Sequence, residues 1–222
     1  QYVVTRASNA VVVDPEVDLT LLGPLGCGIQ TGSGTVLNRL KPVVGESLVV
    51  FGCGAVGLSA IMAAKLTGCS QIIAVDIHAS RLALAGELGA THQINGKEQD
   101  AVAVIKQITG KGAHYAVETT GVSAIVLQAV HAVKPLGTVA IVGFTGDITL
   151  NVQNDLMAEG KSLVGVIEGD AVPALFIPLL VQLYKQGKFP IDKLIARYPL
   201  ADINQAFADS ASGKVIKPVV VM

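Results

Sequence analysis

The chain has 222 residues, 51% of them hydrophobic, enough to bury one generous core or a core with a smaller flanking unit. A formal net charge of −1 and no cluster of Lys or Arg leave no electrostatic footprint for nucleic acid, so no nucleic-acid partner is expected. The mean hydropathy of +0.58 does not imply a membrane, because the most apolar stretch, 171–183, is too short to span a bilayer and is broken by Pro173 and Pro178. Buried parallel strands under Ala-rich helices account for that hydropathy instead. Cys27, Cys53 and Cys69 are too few and too unevenly spaced for a disulfide framework or a self-contained zinc site, which points to a reducing, cytoplasmic setting. No secretory signal is expected at the start, and a chain opening on Gln1 is expected to be a fragment or a processed product.

In chain order, residues 2–13 mix β-branched and polar side chains and read as the edge of a β-rich unit, followed by a loop through Asp14-Pro15. The Gly-punctuated stretch 21–40 is expected to become helical in its later part and to end near Lys41-Pro42. Strands are then expected at 47–51, 71–75, 115–118 and 138–142, with a short one at 91–94 and a candidate sixth at 148–152. Helical patterns fall at 56–67, 80–88, 101–109 and 122–133. This alternation predicts an α/β fold, a doubly wound parallel sheet of the Rossmann kind. Beyond about Ile167 the pattern changes to a helix at 173–186, a turn at Pro190, a helix at 201–210 and a terminal strand at 215–221, which read as a separate element returning to another domain.

Gly52-Cys53-Gly54-Ala55-Val56-Gly57 has GxGxxG spacing, a weak signal alone in a chain with 24 glycines. Its context strengthens it. The first Gly follows a buried strand and the third opens a helix, so amides at the helix N-terminus can face a pyrophosphate. Gly52 allows the tight turn, Gly54 lets the diphosphate approach, and Gly57 lets helix and strand pack closely. Asp76 ends the next strand at the spacing the fingerprint requires. Its carboxylate would accept hydrogen bonds from both adenosine ribose hydroxyls and repel a 2′-phosphate, so NAD is expected over NADP. Arg81 qualifies that preference, since a guanidinium near the pocket could meet a phosphate. An S-adenosylmethionine methyltransferase would use a similar loop and acidic residue, but the close helix packing at Gly57 is the dinucleotide variant's demand.

Three blocks carry a family resemblance over essentially the whole chain: Gly-Cys-Gly-Ile-Gln-Thr-Gly at 26–32, Val-Phe-Gly-Cys-Gly-Ala-Val-Gly-Leu-Ser at 50–59 and Ser-Gly-Lys-Val-Ile-Lys-Pro-Val at 212–219. Their order and separation resemble the later part of a zinc-dependent medium-chain alcohol dehydrogenase. Within that family, Gly-Pro-Leu-Gly-Cys-Gly-Ile-Gln-Thr-Gly at 23–32 and Glu-Gly-Asp-Ala-Val-Pro at 168–173 are most similar to aryl-alcohol (benzyl-alcohol) dehydrogenases. The resemblance implies the end of a β-rich catalytic domain at 1–28, a Rossmann NAD-binding domain at 29–167, and a return segment of the catalytic domain at 168–222.

It further implies that Cys27 is one thiolate ligand of a catalytic zinc that polarises the alcohol oxygen; the alternative is a small buried Cys in a Gly-rich turn. Thr31 and Val56 would lie against the nicotinamide, with Val142 and Phe144 at a strand end lining the same face. Arg81 would lie by the adenosine ribose and Lys217 at the pyrophosphate. Simple packing is the alternative for Val142, and a solvated side chain the alternative for Lys217. Two departures stand against these matches. The family's remaining zinc ligands and proton-relay hydroxyl are not found in this sequence, and neither is its four-cysteine structural zinc loop. His78, His92, His114 and His131 show no ligand spacing with Cys27 and are expected to be surface or loop residues.

The implied reaction is NAD-dependent oxidation of a primary, benzyl-type alcohol to its aldehyde with zinc as Lewis acid, this chain supplying the NAD-binding part. The implied partners are the small-molecule alcohol and aldehyde, with self-association into a homodimer or homotetramer through the region near 148–152. An NAD-binding module without turnover is one alternative. A zinc-independent quinone or enoyl reductase is another, against which Cys27 and Asp76 both speak.

Overall fold

The computed structural model describes residues 4–222. They form two compact units: Thr31–Asp170, and the described residues up to Gln30 together with Ala171–Met222. No helix among the described residues is long and apolar enough to cross a membrane.

Helix α1 (Gly28–Gly34) runs into a π-helical segment, Thr35–Leu40, which Lys41 closes with a left-handed φ of 51°. Six parallel strands follow: β1 (Ser47–Phe51), β2 (Gln71–Asp76), β3 (His92–Asn95), β4 (Ala113–Glu118), β5 (Val133–Ile141) and β6 (Ser162–Gly165). They form one sheet in the order β3-β2-β1-β4-β5-β6. Between them run α2 (Ala55–Thr67), α3 (Ala79–Leu88), α4 (Ala101–Thr109) and α5 (Ser123–Ala132). The strand order turns back between β1 and β4, and this switch point opens the crevice at the carboxyl ends of the strands where doubly wound sheets bind ligands.

The sequence of β1, Ser-Leu-Val-Val-Phe, is buried at every position, because helices cover both faces of the sheet. Val49 and Phe51 face a cluster that includes Ile73, Val75, Ala116 and Val139 of neighbouring strands, Ile105 of α4, and Ala129 and Val130 of α5. Val50 points the other way, as the two-residue period of a strand requires, and lies under α2. Burial of each such side chain contributes about 1.5–3 kcal/mol.

Three expectations are corrected. The stretch 148–152 is not a strand. Asn151 caps a π-helical turn, Val152–Leu156: its side chain accepts from the Asn154 amide at 3.0 Å while its own amide donates to Asp155 Oδ2 at 2.9 Å. This reciprocal capping overrides the β-propensity of the segment, and the sixth strand is β6, pairing Thr138 with Ser162. The fifth strand begins five residues before the expected 138, across Lys134-Pro135-Leu136-Gly137, with a register shift opposite 113–115 and a positive φ at Leu136. No strand occurs in the described part of 2–13, where a 3-10 turn spans Ala7–Asn9; Tyr2 and Val3 lie outside the described residues.

The flanking unit holds α6 (Pro173–Lys185), β7 (Ile195–Pro199), α7 (Ile203–Ala211) and β8 (Lys217–Val221), with β7 and β8 paired in parallel. β7 had no counterpart among the expected strands. Asp209 on α7 is buried and accepts from Tyr198 Oη at 2.7 Å, Gln205 Nε2 at 2.8 Å and Lys214 Nζ at 3.1 Å.

Candidate dinucleotide-binding site

The chain leaves β1 at Gly52, whose φ of 92° suits glycine and whose amide donates to the Val75 carbonyl at 2.8 Å. Gly54 is the N-cap of α2 in an extended conformation and offers no side chain to cap it. The first intrahelical bond is Leu58 N to Gly54 O, which leaves the first-turn amides without intrahelical acceptors at the positive end of a 13-residue helix. A Cβ on Gly54 would meet nothing within 4 Å, so the approach to those amides is open. At Gly57 a Cβ would stand 1.8 Å from the Gly52 carbonyl oxygen, so only glycine lets α2 pack this close to the turn.

Asp76, at the end of β2, is 8% exposed and binds the loop directly: Oδ2 accepts from the Cys53 amide at 2.6 Å, and Oδ1 accepts from Ile77 and His78 amides at 2.7 and 2.9 Å. A carboxylate offers about four acceptor positions, so these three bonds leave room for one more donor. The buried Nε of Arg81, on α3, has no hydrogen-bond partner among the described residues. Burial, reinforced by the Asp76 charge, pushes the Cys53 thiol far up, so it sits in the loop as a protonated packing group.

Around the switch point, Thr119 Oγ1 donates to the Phe51 and Gly52 carbonyls at 2.8 and 3.1 Å. Glu118, the last residue of β4, is fully buried and takes the Thr120 and Gly121 amides on its carboxyl group. Its carbonyl accepts from the Val142 and Gly143 amides at 2.9 and 3.1 Å.

Ala55, Val56, Thr31, Val142 and Phe144 belong to the same unit as the glycine loop. Thr31 and Val56 are brought together: a Cβ on Gly32 would lie 1.9 Å from the Val56 carbonyl oxygen, so the helix start carrying Thr31 packs directly on α2. Thr31 is 9% exposed, and its Oγ1 lies 3.4 Å from Glu168 Oε2. Glu168, Gly169 and Asp170 form a left-handed run, held by Asn38 Nδ2 on the Gly169 carbonyl at 3.0 Å and by Arg39 at 3.5 Å from Asp170. Val142 is half-buried, whereas Phe144 is fully exposed.

Cys27 and Lys217 lie in the flanking unit. Cys27 is exposed rather than buried in its turn, and Lys217 is half-buried at the start of β8. No group of three or more His, Cys, Asp or Glu that could hold a metal occurs among the described residues, so they do not make a zinc centre by themselves. Two histidines depart from the surface-or-loop expectation. His92 lies in β3, and His114 lies in β4 with Nδ1 2.8 Å from Ser47 Oγ.

The residues fit a dinucleotide. The open face at Gly54, the uncapped amides of α2, the Asp76 carboxylate and the unpartnered Arg81 Nε converge near one loop. Sequence reading missed Glu118 and the Thr119-Thr120-Gly121 turn. Its available signal was a carboxylate closing an otherwise apolar strand and followed by a Thr-Thr-Gly turn.

The family model described as zinc-binding dehydrogenase matches residues 55–185, and the chain belongs to that family. Geraniol dehydrogenase from Castellaniella defragrans is 43% identical over 99% of this chain and 60% of its own length. Among solved structures, an alcohol dehydrogenase zinc-binding domain protein from Burkholderia ambifaria matches with TM-score 0.95 and 52% identity, over 98% of this chain and 59% of that one. Benzyl alcohol dehydrogenase from Acinetobacter calcoaceticus matches with TM-score 0.95 and 51% identity, over 97% of this chain and 60% of that one. The chain thus spans about 60% of the length of these relatives.

Proposed function

We propose that this chain is the NAD(H)-holding part of an alcohol dehydrogenase. The observation that carries the reading is the coupling of the Gly52–Gly57 turn to Asp76 through the Cys53 amide: one hydrogen bond joins the surface suited to a diphosphate to the carboxylate suited to a ribose. The α2 amides bind the pyrophosphate, with Gly54 admitting it. Asp76 accepts from a ribose hydroxyl and sets the preference for NAD over NADP. Arg81 lies at the ribose edge. Thr31, Val56, Val142 and Phe144 form the nicotinamide side, and Lys217 is assigned to the pyrophosphate on the family resemblance alone.

When bound, the nicotinamide accepts or returns the hydride, while the chain contributes orientation. We assign Cys27 as one thiolate toward zinc, a role the described residues do not complete. The substrate reading is a primary, benzyl-type alcohol. Its support is the similarity to benzyl alcohol and geraniol dehydrogenases, whose named substrates share a carbinol carbon next to a π-system. The open edge of β6 supports assembly as a homodimer or homotetramer.

Fluorescence titration with NADH and NADPH tests the cofactor reading. Saturable binding that favours NADH is expected, and absence of binding to either cofactor overturns the reading.

A further inference from the structure

Glu118 sits where the two halves of the sheet meet: it pairs with Phe51 of β1 on one side and with Ile141 of β5 on the other. Its side chain is fully buried. Oε1 accepts from the Thr120 amide at 2.6 Å, from the Thr120 hydroxyl and from the Gly121 amide at 3.2 Å, and Oε2 lies 3.3 Å from the same Gly121 amide. A buried carboxyl group needs such donors, and here it takes them from the turn immediately after its own strand.

That turn is in close contact with the loop after β5. Gly121 has a φ of 71°, and a Cβ there would stand 2.5 Å from the Phe144 carbonyl oxygen. A Cβ on Gly143 would stand 2.4 Å from the Gly121 amide nitrogen. Glu118 therefore holds the 142–144 segment twice, through its carbonyl on the Val142 and Gly143 amides and through its carboxyl on the turn that abuts Phe144. The Gly52 turn is hydrogen-bonded by the Thr119 hydroxyl and not by the Glu118 carboxyl, and it meets the Thr120 turn only by packing, a Cβ on Gly52 standing 3.0 Å from Thr120 Cγ2.

We propose that Glu118 is a positioning residue for the nicotinamide half of the dinucleotide site, acting through the Thr120-Gly121 turn on Val142 and Phe144, and not a support of the adenosine half. The proposal rests on the cofactor reading above. In Glu118→Gln the amide oxygen can keep the Oε1 donors, but an NH2 group replaces Oε2 opposite the Gly121 amide and the charge that strengthens the remaining bonds is lost. The turn therefore loosens at Gly121 while the Asp76 side keeps its bonds.

The test is a titration of wild type and Glu118→Gln with NADH and, separately, with AMP, which carries the adenosine half alone. NADH affinity is expected to fall about tenfold and AMP affinity to stay within about twofold. Emission of bound NADH should move toward that of the free cofactor, a readout helped by the absence of Trp from the chain. Equal weakening of both ligands, the mark of a merely structural role, overturns the proposal, as does no change in either. If Glu118→Gln does not fold, Thr120→Val removes the hydroxyl that donates to Glu118 and accepts from the Val122 amide at 3.1 Å, and decides by the same comparison, with about threefold weaker NADH and unchanged AMP expected. Wild-type protein that binds neither ligand overturns the cofactor reading and this inference with it; wild-type binding with an indifferent variant overturns only this inference.

Discussion

Asp76 and Glu118 close the two strands on either side of β1, and both are buried carboxyl groups that bind backbone amides. Their reach differs. Asp76 crosses to the Cys53 amide, 23 residues away in sequence, and so fixes the glycine loop against β2. Glu118 binds residues two and three positions ahead and so fixes its own turn. A long-range carboxylate partner joins two elements into a site, whereas a local one shapes a single element that then presses on its neighbour. Asp76 keeps acceptor capacity for one further donor, so its two expected ribose bonds reduce to one unshared bond, with the second hydroxyl sharing or displacing an amide.

The contrast can be broken first at the glycine loop. Gly57→Ala forces a methyl into the Gly52 carbonyl. Overpacking of this kind costs about 3 kcal/mol, a fall of about 6–12 °C in melting temperature, and NADH binding should vanish with it. A melt close to that of wild type would show that the close approach of α2 is not required. Asp76→Ala comes next: NADH affinity is expected to fall about tenfold, and discrimination against NADPH to shrink, in a two-cofactor titration. Unchanged selectivity would remove Asp76 from the ribose.

The smallest effect belongs to a third buried carboxylate, Asp209, which serves no cofactor in the proposed scheme. The Tyr198 hydroxyl, followed by Lys214 and Gln205, holds its pKa below the usual carboxylate value. A folded pKa below the unfolded one gives stability that is present above about pH 4 and lost as pH falls through the folded value. Asp209→Asn should therefore lower the melting temperature by a few degrees at neutral pH and flatten the melting profile below about pH 4, as thermal scans across pH would read. An unchanged profile would mean that the cluster does not couple to unfolding.

Much of the sheet was legible because helices on both faces turn strands into continuous apolar runs: β1 and α4 fall where periodicity places them. The failures have local causes. At 148–152 alternating β-formers lost to the Asn151 and Asp155 caps, and β5 extends back through a Pro-Leu-Gly stretch because Leu136 accepts a positive φ. At the site, the roles of glycines depend on the absence of a side chain, which a sequence displays directly. Glu118 depends on which amides its carboxyl meets, and the sequence does not display those. For Cys27 the sequence offered a ligand type, but a metal site requires several ligands at fixed geometry, and the described residues do not supply them.

Gly54 leaves α2 without the Ser, Asp or Asn that would ordinarily cap such a helix, a choice that forgoes roughly a few tenths of a kcal/mol of stability before any ligand arrives. On the proposed reading the cofactor's phosphates complete the helix end, so folding and loading become linked equilibria. Cofactor at 100 times its Kd should add about 2.7 kcal/mol, making the melting temperature a gauge of loading. Gly54→Asp would uncouple the two: its carboxylate caps the helix and repels the phosphates, so the empty protein gains roughly a few tenths of a kcal/mol while its melting temperature stops responding to cofactor.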